Sequence, residues 1–202
     1  MKLIASLTSP FARKIRVLLL EKGQPFDLVV DSPYEPDTCV TAFNPLGKVP
    51  TLVTEIGEAF FDSPVIADFI DLINPAAPVL PTDALDALHV RQLEALADGV
   101  TEAGVIWLTE TRRPAERQDA NVVDRQLAKL ERGMDALVQQ LGDNDWLRPD
   151  GFSRADIAAA CCLLWLDFRL PQYAWRNGRP TLAAYAARLS ERPSFAQTVP
   201  VA

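Results

Sequence analysis

Short apolar runs and stretches of helical period alternate through the first third of the chain. Lys2-Leu3-Ile4-Ala5-Ser6-Leu7 is a compact apolar run and predicts a largely buried strand over residues 2–7. Ser9-Pro10 then opens a helix, with proline suited to the first helical position. Ala12, Ile15, Leu18 and Leu19 fall on one face of that helix, and Gly23 ends it. Phe26 to Val30 predicts a second strand, and residues 36–44 a short helix or loop. Thr51–Thr54 and Glu58–Phe61 flank Ile56-Gly57 as a hairpin, and Ser63-Pro64 starts a helix that runs to about Ile73.

The resulting order, β-α-β-α-β-β-α, implies a right-handed first crossover and a terminal hairpin antiparallel to it, a thioredoxin-like arrangement over residues 1–75. The proline-rich stretch 76–82 reads as a semi-rigid linker. From Asp83 onward the pattern has helical period only, with helices expected at about 83–112, 115–141, 153–169 and 180–191, punctuated by Pro114, Gly142 and Pro171. The expected fold class is therefore an α/β thioredoxin-like domain followed by an all-α domain over 83–202.

Composition narrows the function. At 202 residues, 49% apolar and 23% charged, the chain suits a globular protein of one or two domains. A net charge of −7 and a pI near 4.8 exclude the broad basic field that nucleic acid requires. The opening run is too short for a signal peptide, and Ile157 to Leu166 is too short to span a bilayer. Cys39, Cys161 and Cys162 lack metal-ligand spacing, and the adjacent pair points in different directions on a helix. They read as reduced, buried thiols of a cytosolic protein that holds no metal.

The candidate chemistry lies at the ends of the early elements. Pro50 stands at the mouth of the Thr51-Leu52-Val53 run, where proline marks a strand start or an edge. With a cis Val49–Pro50 bond, the N–H and C=O of Val49 turn outward and can pair with a peptide-like ligand as an added strand. The plainer alternative is a trans loop-to-strand entry. Asp62-Ser63 opens a helix, which is a natural anion site or, equally, an ordinary cap. Ser153 and Asp156 form a capping box with Phe152 and Ile157 placed for a hydrophobic staple, a structural feature. Arg13, Arg112 and Arg113 read as surface or interface charges, with binding of an acidic substrate as the alternative for any of them, and the lone His89 has no assigned role.

Ser9-Pro10-Phe11, Asn44-Pro-Leu-Gly-Lys-Val-Pro50, Asp62-Ser63 and Phe152-Ser153-Arg154-Ala155-Asp156, in this order and spacing, make the chain resemble a glutathione S-transferase over nearly its whole length. The pattern most resembles bacterial members with serine at the active-site position. The resemblance implies the glutathione S-transferase fold and a cytoplasmic homodimer with a detoxification role. Glutathione would be the co-substrate on the first domain, and a small apolar electrophile would sit between the domains. A free thiol with a pKa of about 8.5 is only roughly 7% thiolate near pH 7.4, and lowering it by about two units takes about 2.7 kcal/mol. One hydrogen bond to a charged group supplies about 1.5–3 kcal/mol, so one hydroxyl beside a helix N-terminus suffices.

On this resemblance Ser9 is that donor, with Thr8 as the rival and a plain N-cap as the alternative. Val49 pairs with the cysteinyl backbone beside Pro50. Ser63 takes the γ-glutamyl carboxylate, Asp62 the ammonium and Lys48 the glycyl carboxylate. Relatives usually carry Glu or Gln where Asp62 stands, and Lys48 reads equally as a solvated surface lysine. Phe11, Ala103, Trp107 and Thr111 are candidates for the electrophile pocket, although a core or interface role suits Trp107 as well. Serine rather than cysteine points to conjugation, isomerisation, dehalogenation or peroxide reduction with glutathione as nucleophile. Beside a transferase stand two alternatives: a non-catalytic module of the same fold that binds a protein partner, and a dedicated isomerase, dehalogenase or peroxidase.

Overall fold

Leu3, Ile4 and Ala5 are all buried, which marks their strand as interior to a sheet covered on both faces. The computed structural model describes residues 1–76 and 78–201; Ala77 of the expected linker lies outside the described residues. It places β1 (Lys2–Ala5) between β2 (Asp27–Val30) and β3 (Thr51–Val53), with β4 (Ala59–Phe60) outermost. β1 and β2 run parallel with Leu3 opposite Leu28. β1/β3 and β3/β4 are antiparallel, with Ile4 opposite Thr51 and Leu52 opposite Phe60.

Strand alternation sorts the side chains to two faces. Ile4, Val29, Val53 and Ala59 share one face, where Val40 and Val49 pack against them. Val40 belongs to a single 3-10 turn, Val40–Ala42, all that forms of the helix-or-loop expected at 36–44. On the other face Phe60 stacks on Phe69 of α2 (Ser63–Ile73), with ring centroids 4.2 Å apart. α1 (Pro10–Glu21) buries Ala12, Ile15, Leu18 and Leu19 as the pattern requires. It ends where Gly23, at φ 58°, adopts the left-handed conformation that a helix terminus favours.

The helical part comprises α3 (Ala84–Thr111), α4 (Ala120–Leu141), α5 (Arg154–Arg169) and α6 (Pro180–Ser190). α4 begins five residues later than expected from 115. A 3-10 turn at Ala115–Arg117 follows Pro114, and Asp119 takes the cap instead, accepting from the Asn121 N–H at 2.9 Å. α5 is apolar nearly all round and buried, as a central core helix is. Arg154 crosses from α5 to Glu94 of α3 with its Nη2 at 2.6 Å, both side chains buried. Gly133 of α4 lets that helix approach Val100 of α3 so closely that an added Cβ would meet Val100 Cγ2 at 2.3 Å.

The expected capping box at the start of α5 is present. Asp156 accepts from the Ser153 N–H at 2.8 Å and the Ser153 hydroxyl at 2.9 Å. It also accepts from the Leu147 N–H at 2.9 Å and the Tyr185 hydroxyl at 2.8 Å. Burial pushes the Asp156 carboxyl above its ordinary pKa, with these hydrogen bonds only partly offsetting it.

The chain divides into two compact units, Leu80–Glu191 and a unit that joins Met1–Val79 to the segment from Arg192 onward. The expected second domain, 83–202, differs from this division at its end. The cause is a further short helix, α7 (Pro193–Ala196), which packs on α1. Among the described residues no helix is long and apolar enough to cross a membrane.

Candidate functional site

Sheet register decides which candidates meet. Ile4 lies opposite Thr51, so the chain leaving β1 through Ser6–Ser9 passes beside the chain entering β3 through Val49–Pro50. Leu52 lies opposite Phe60, so Asp62 and Ser63 leave β4 at that same end. Ser9, Val49, Pro50, Asp62 and Ser63 are therefore gathered at one end of the sheet, within the first unit. A cavity of about 550 Å³ opens near Lys2, Asp27 and Glu55 at the opposite end, away from them.

Ser9 is the N-cap of α1, extended at φ −77° and ψ 125°. Its Oγ accepts from the Ala12 N–H at 3.2 Å, and its carbonyl accepts from the Arg13 N–H at 2.9 Å. Accepting leaves the hydroxyl proton for another acceptor. The neighbouring Thr8 hydroxyl is paired with that of Ser6 at 3.2 Å.

The Val49–Pro50 bond is cis, as the sequence reading requires, and Phe61–Asp62 is a second cis bond. The Val49 side chain packs inward on the Ile4, Val40 and Val53 cluster. Its backbone N–H and C=O have no hydrogen-bond partner among the described residues. The loop before it is held by Asn44, which is only 2% exposed. Asn44 Nδ2 donates to the Lys48 carbonyl at 2.9 Å, and Oδ1 accepts from the Leu46 N–H at 2.9 Å. The Thr51 hydroxyl donates to the same Lys48 carbonyl at 3.1 Å, while Gly47 turns the chain at φ 60°. Asn44 was absent from the sequence-based candidates, although Asn-Pro followed by Gly is a turn signal that could have pointed to it. The Lys48 side chain is exposed.

Asp62 occupies the N-cap of α2, exposed and with no side-chain capping bond. Ser63 is the first helical residue and only 2% exposed. Because Pro64 has no N–H, the donors at this helix start are the Ser63 and Val65 amides and the Ser63 hydroxyl.

The remaining candidates divide between the units. Phe11 is half-buried on the first turn of α1, whereas Ala103, Trp107 and Thr111 lie a turn apart along α3. Ala103 and Trp107 are buried, and Trp107 meets Tyr173 edge-on with ring centroids 5.8 Å apart. The Thr111 hydroxyl is turned back onto the Trp107 carbonyl at 3.0 Å.

Two expectations need correction. Arg13 is not a surface charge: it is 3% exposed, with Nη2 donating to the Phe195 carbonyl at 3.2 Å and Nε to the Thr198 hydroxyl at 3.4 Å. Its amphipathic position was misread because the covering segment lies 182 residues later in the chain. Cys39 is exposed rather than buried, because the stretch around it is an open turn instead of a packed helix. Its Sγ donates to Asp31 Oδ2 at 2.9 Å, and that bond holds the thiol protonated, raising its pKa. Cys161 and Cys162 are buried as expected, and burial pushes the Cys162 thiol up to about 12.

Comparison with known proteins gives one consistent answer. Residues 8–73 match the family model for the glutathione S-transferase N-terminal domain, and residues 120–188 that for the C-terminal domain. The protein named "Uncharacterized GST-like protein YibF" of Escherichia coli K12 is 47% identical over 200 residues, covering 99% of this chain and 98% of that protein. A Methylobacillus flagellatus glutathione S-transferase with glutathione bound is 42% identical, with a TM-score of 0.95 over 99% of both chains. One from Methylobacterium radiotolerans, in complex with glutathione sulfonate, is 39% identical at a TM-score of 0.95, covering 100% of this chain and 95% of that one. This chain belongs to the glutathione S-transferase family.

Proposed function

We propose that the chain is a glutathione-dependent transferase that ionises the glutathione thiol for attack on a small electrophile. The main support is the glutathione-class ligand carried by two structures that match this chain end to end at 39–42% identity. The end of the sheet where β1 and β4 finish and β3 begins supplies groups that suit each part of that tripeptide.

The Val49 N–H and C=O pair with the cysteinyl backbone as an added strand. This fixes the sulfur near the N-terminus of α1. There the Ser9 hydroxyl donates to the thiolate while its oxygen keeps the Ala12 N–H as partner. The pairing of Thr8 with Ser6 favours Ser9 over Thr8 for this task. Ser63, with the Ser63 and Val65 amides, receives the γ-glutamyl carboxylate, and Asp62 meets its ammonium. Lys48 meets the glycyl carboxylate. The thiolate then attacks the electrophilic carbon of the second substrate, forming a C–S bond as the leaving group, chloride in a chlorinated dinitrobenzene, departs with the electrons of the broken bond. Residence in the cytoplasm and assembly as a homodimer complete the proposal.

Retention on immobilised glutathione, a calorimetric binding isotherm and turnover of a chlorinated dinitrobenzene are the expected results. Absence of glutathione binding, together with specific capture of a purified protein partner, would replace this reading with the non-catalytic module. Glutathione binding with turnover of only maleyl, haloalkane or peroxide substrates would replace it with the dedicated enzyme.

A further inference from the structure

We infer that the end of the chain is part of the thiol-activating apparatus: the segment from Arg192 braces α1 at both ends, and Arg13 is a positioning residue for Ser9. This rests on the role proposed above for Ser9.

At the C-terminal end of α1, Glu21 accepts from Arg192 Nε at 3.0 Å, from Arg192 Nη2 at 2.6 Å and from the Ser194 hydroxyl. One turn from the N-terminal end, the Arg13 guanidinium reaches the Phe195 carbonyl and the Thr198 hydroxyl, and lies 5.8 Å from the centroid of the Phe195 ring. Thr198 is itself held, its hydroxyl donating to the Ser194 carbonyl at 2.8 Å. Arg192, Ser194, Phe195 and Thr198 thus form one continuous clasp along α1.

Arg13 is not a neutral place on that helix. Its amide closes the first hydrogen bond of α1 onto the Ser9 carbonyl at 2.9 Å. The Ser9 hydroxyl, the Ala12 amide and the Arg13 side chain therefore belong to a single turn. A leucine would fill the same space without direction. A guanidinium that donates to fixed acceptors, among them the Phe195 carbonyl and the Thr198 hydroxyl, sets the rotation of the turn as well as its depth, because each N–H must point at its partner. Rotation is what a thiolate donor needs, since a hydrogen bond weakens steeply when its angle closes.

The test uses the full chain with Arg13→Met, Thr198→Val and Thr198→Ser. The readouts are the ultraviolet thiolate titration of bound glutathione, kcat against pH, the glutathione Kd and unfolding by urea. Arg13→Met is expected to raise the bound thiol pKa by about one unit. That lowers kcat several-fold near pH 6, leaves it unchanged near pH 9 and moves Kd by no more than about threefold. Thr198→Val gives a smaller shift of the same sign, and Thr198→Ser restores the wild-type titration.

Variants that are less stable yet keep the wild-type titration would overturn the inference and leave Arg13 a structural anchor. If Arg13→Met does not fold, the Thr198 pair decides by the same titration. A wild type that binds no glutathione, or binds it without ionising it, would remove the role of Ser9 and this inference together. A wild type that ionises the thiol beside variants that do so equally well removes this inference alone.

Discussion

Replacing Ser9 by alanine removes two separable things. One is the N-cap of α1, an Oγ that accepts from the Ala12 N–H at 3.2 Å. Its loss costs about 1 kcal/mol of folding stability. The other is the donor that we propose for the thiolate. A hydrogen bond to a charged acceptor of about 2 kcal/mol corresponds to about 1.5 pKa units. If the bound thiol titrates near 6.5, it moves to about 8 in the variant, and the thiolate fraction at pH 7 falls about eightfold. By pH 9.5 both forms are almost fully ionised, and the rates converge. The pH dependence of kcat, followed with a chromogenic electrophile and paired with a urea titration, separates the two losses. Ser9→Gly sharpens the separation, because glycine costs an N-cap only a few tenths of a kcal/mol yet lacks the hydroxyl. Glycine and alanine should share one displaced pH profile and differ in stability. A profile that does not move in either variant, with stability lowered in alanine alone, would refute the donor role and leave Ser9 as a cap.

Two further outcomes follow from the packing. Asp156→Ala strands the Ser153 and Leu147 amides and the Tyr185 hydroxyl in a buried place, so a loss of about 3–5 kcal/mol in urea unfolding is expected, and a loss below about 1 kcal/mol would contradict the capping-box account. Burial works against ionisation of Glu21, but the hydrogen bonds from Arg192 and Ser194 and the charge of Arg192 prevail and hold its pKa below the ordinary carboxylate value. Its contribution is therefore present above that ordinary value and is lost as pH falls through the lowered one. The protection factor of the terminal segment, its exchange rate taken against the intrinsic rate at each pH, should fall on acidification in the wild type and be low at neutral pH in Glu21→Gln. Equal protection in both at neutral pH would count against the clasp.

How much was legible in the sequence follows from how local each signal is. The starts of α3 and α5 were readable because Asp83 accepts from amides two and three residues on, and Ser153 pairs with Asp156 three residues on. The hairpin and the entry to β3 were readable for the same reason, through Gly57 and Pro50. α4 was placed too early because Pro114 and Asp119 are both plausible starts, and only the turn between them decides. Arg13 and α7 were missed for a different reason. A four-residue helix has no period to detect, and nothing near Arg13 in the chain encodes the segment that covers it. Of the candidate site, Ser9, Val49 and Ser63 stood out as candidates because each sits at an element boundary, whereas Asn44 acts from within the loop it holds.

That boundary placement also explains why a site of this kind tolerates so modest a set of side chains. Where β1 and β4 finish and β3 begins, their backbone groups lose ladder partners, and where α1 and α2 begin, their first amides have no partner within the helix. A peptide ligand can satisfy both kinds of group at once, with main-chain atoms that no substitution removes. The side chain of Val49 serves the core, and in the proposed function its backbone serves the ligand. The same division of labour places the chemical demand on geometry more than on residue type. Shifting a thiol by two pKa units needs one hydroxyl, but that hydroxyl must hold its direction through the catalytic cycle. On this account the buried clasp on α1 and the open end of the sheet are two halves of one requirement, rigidity behind the donor and access in front of it.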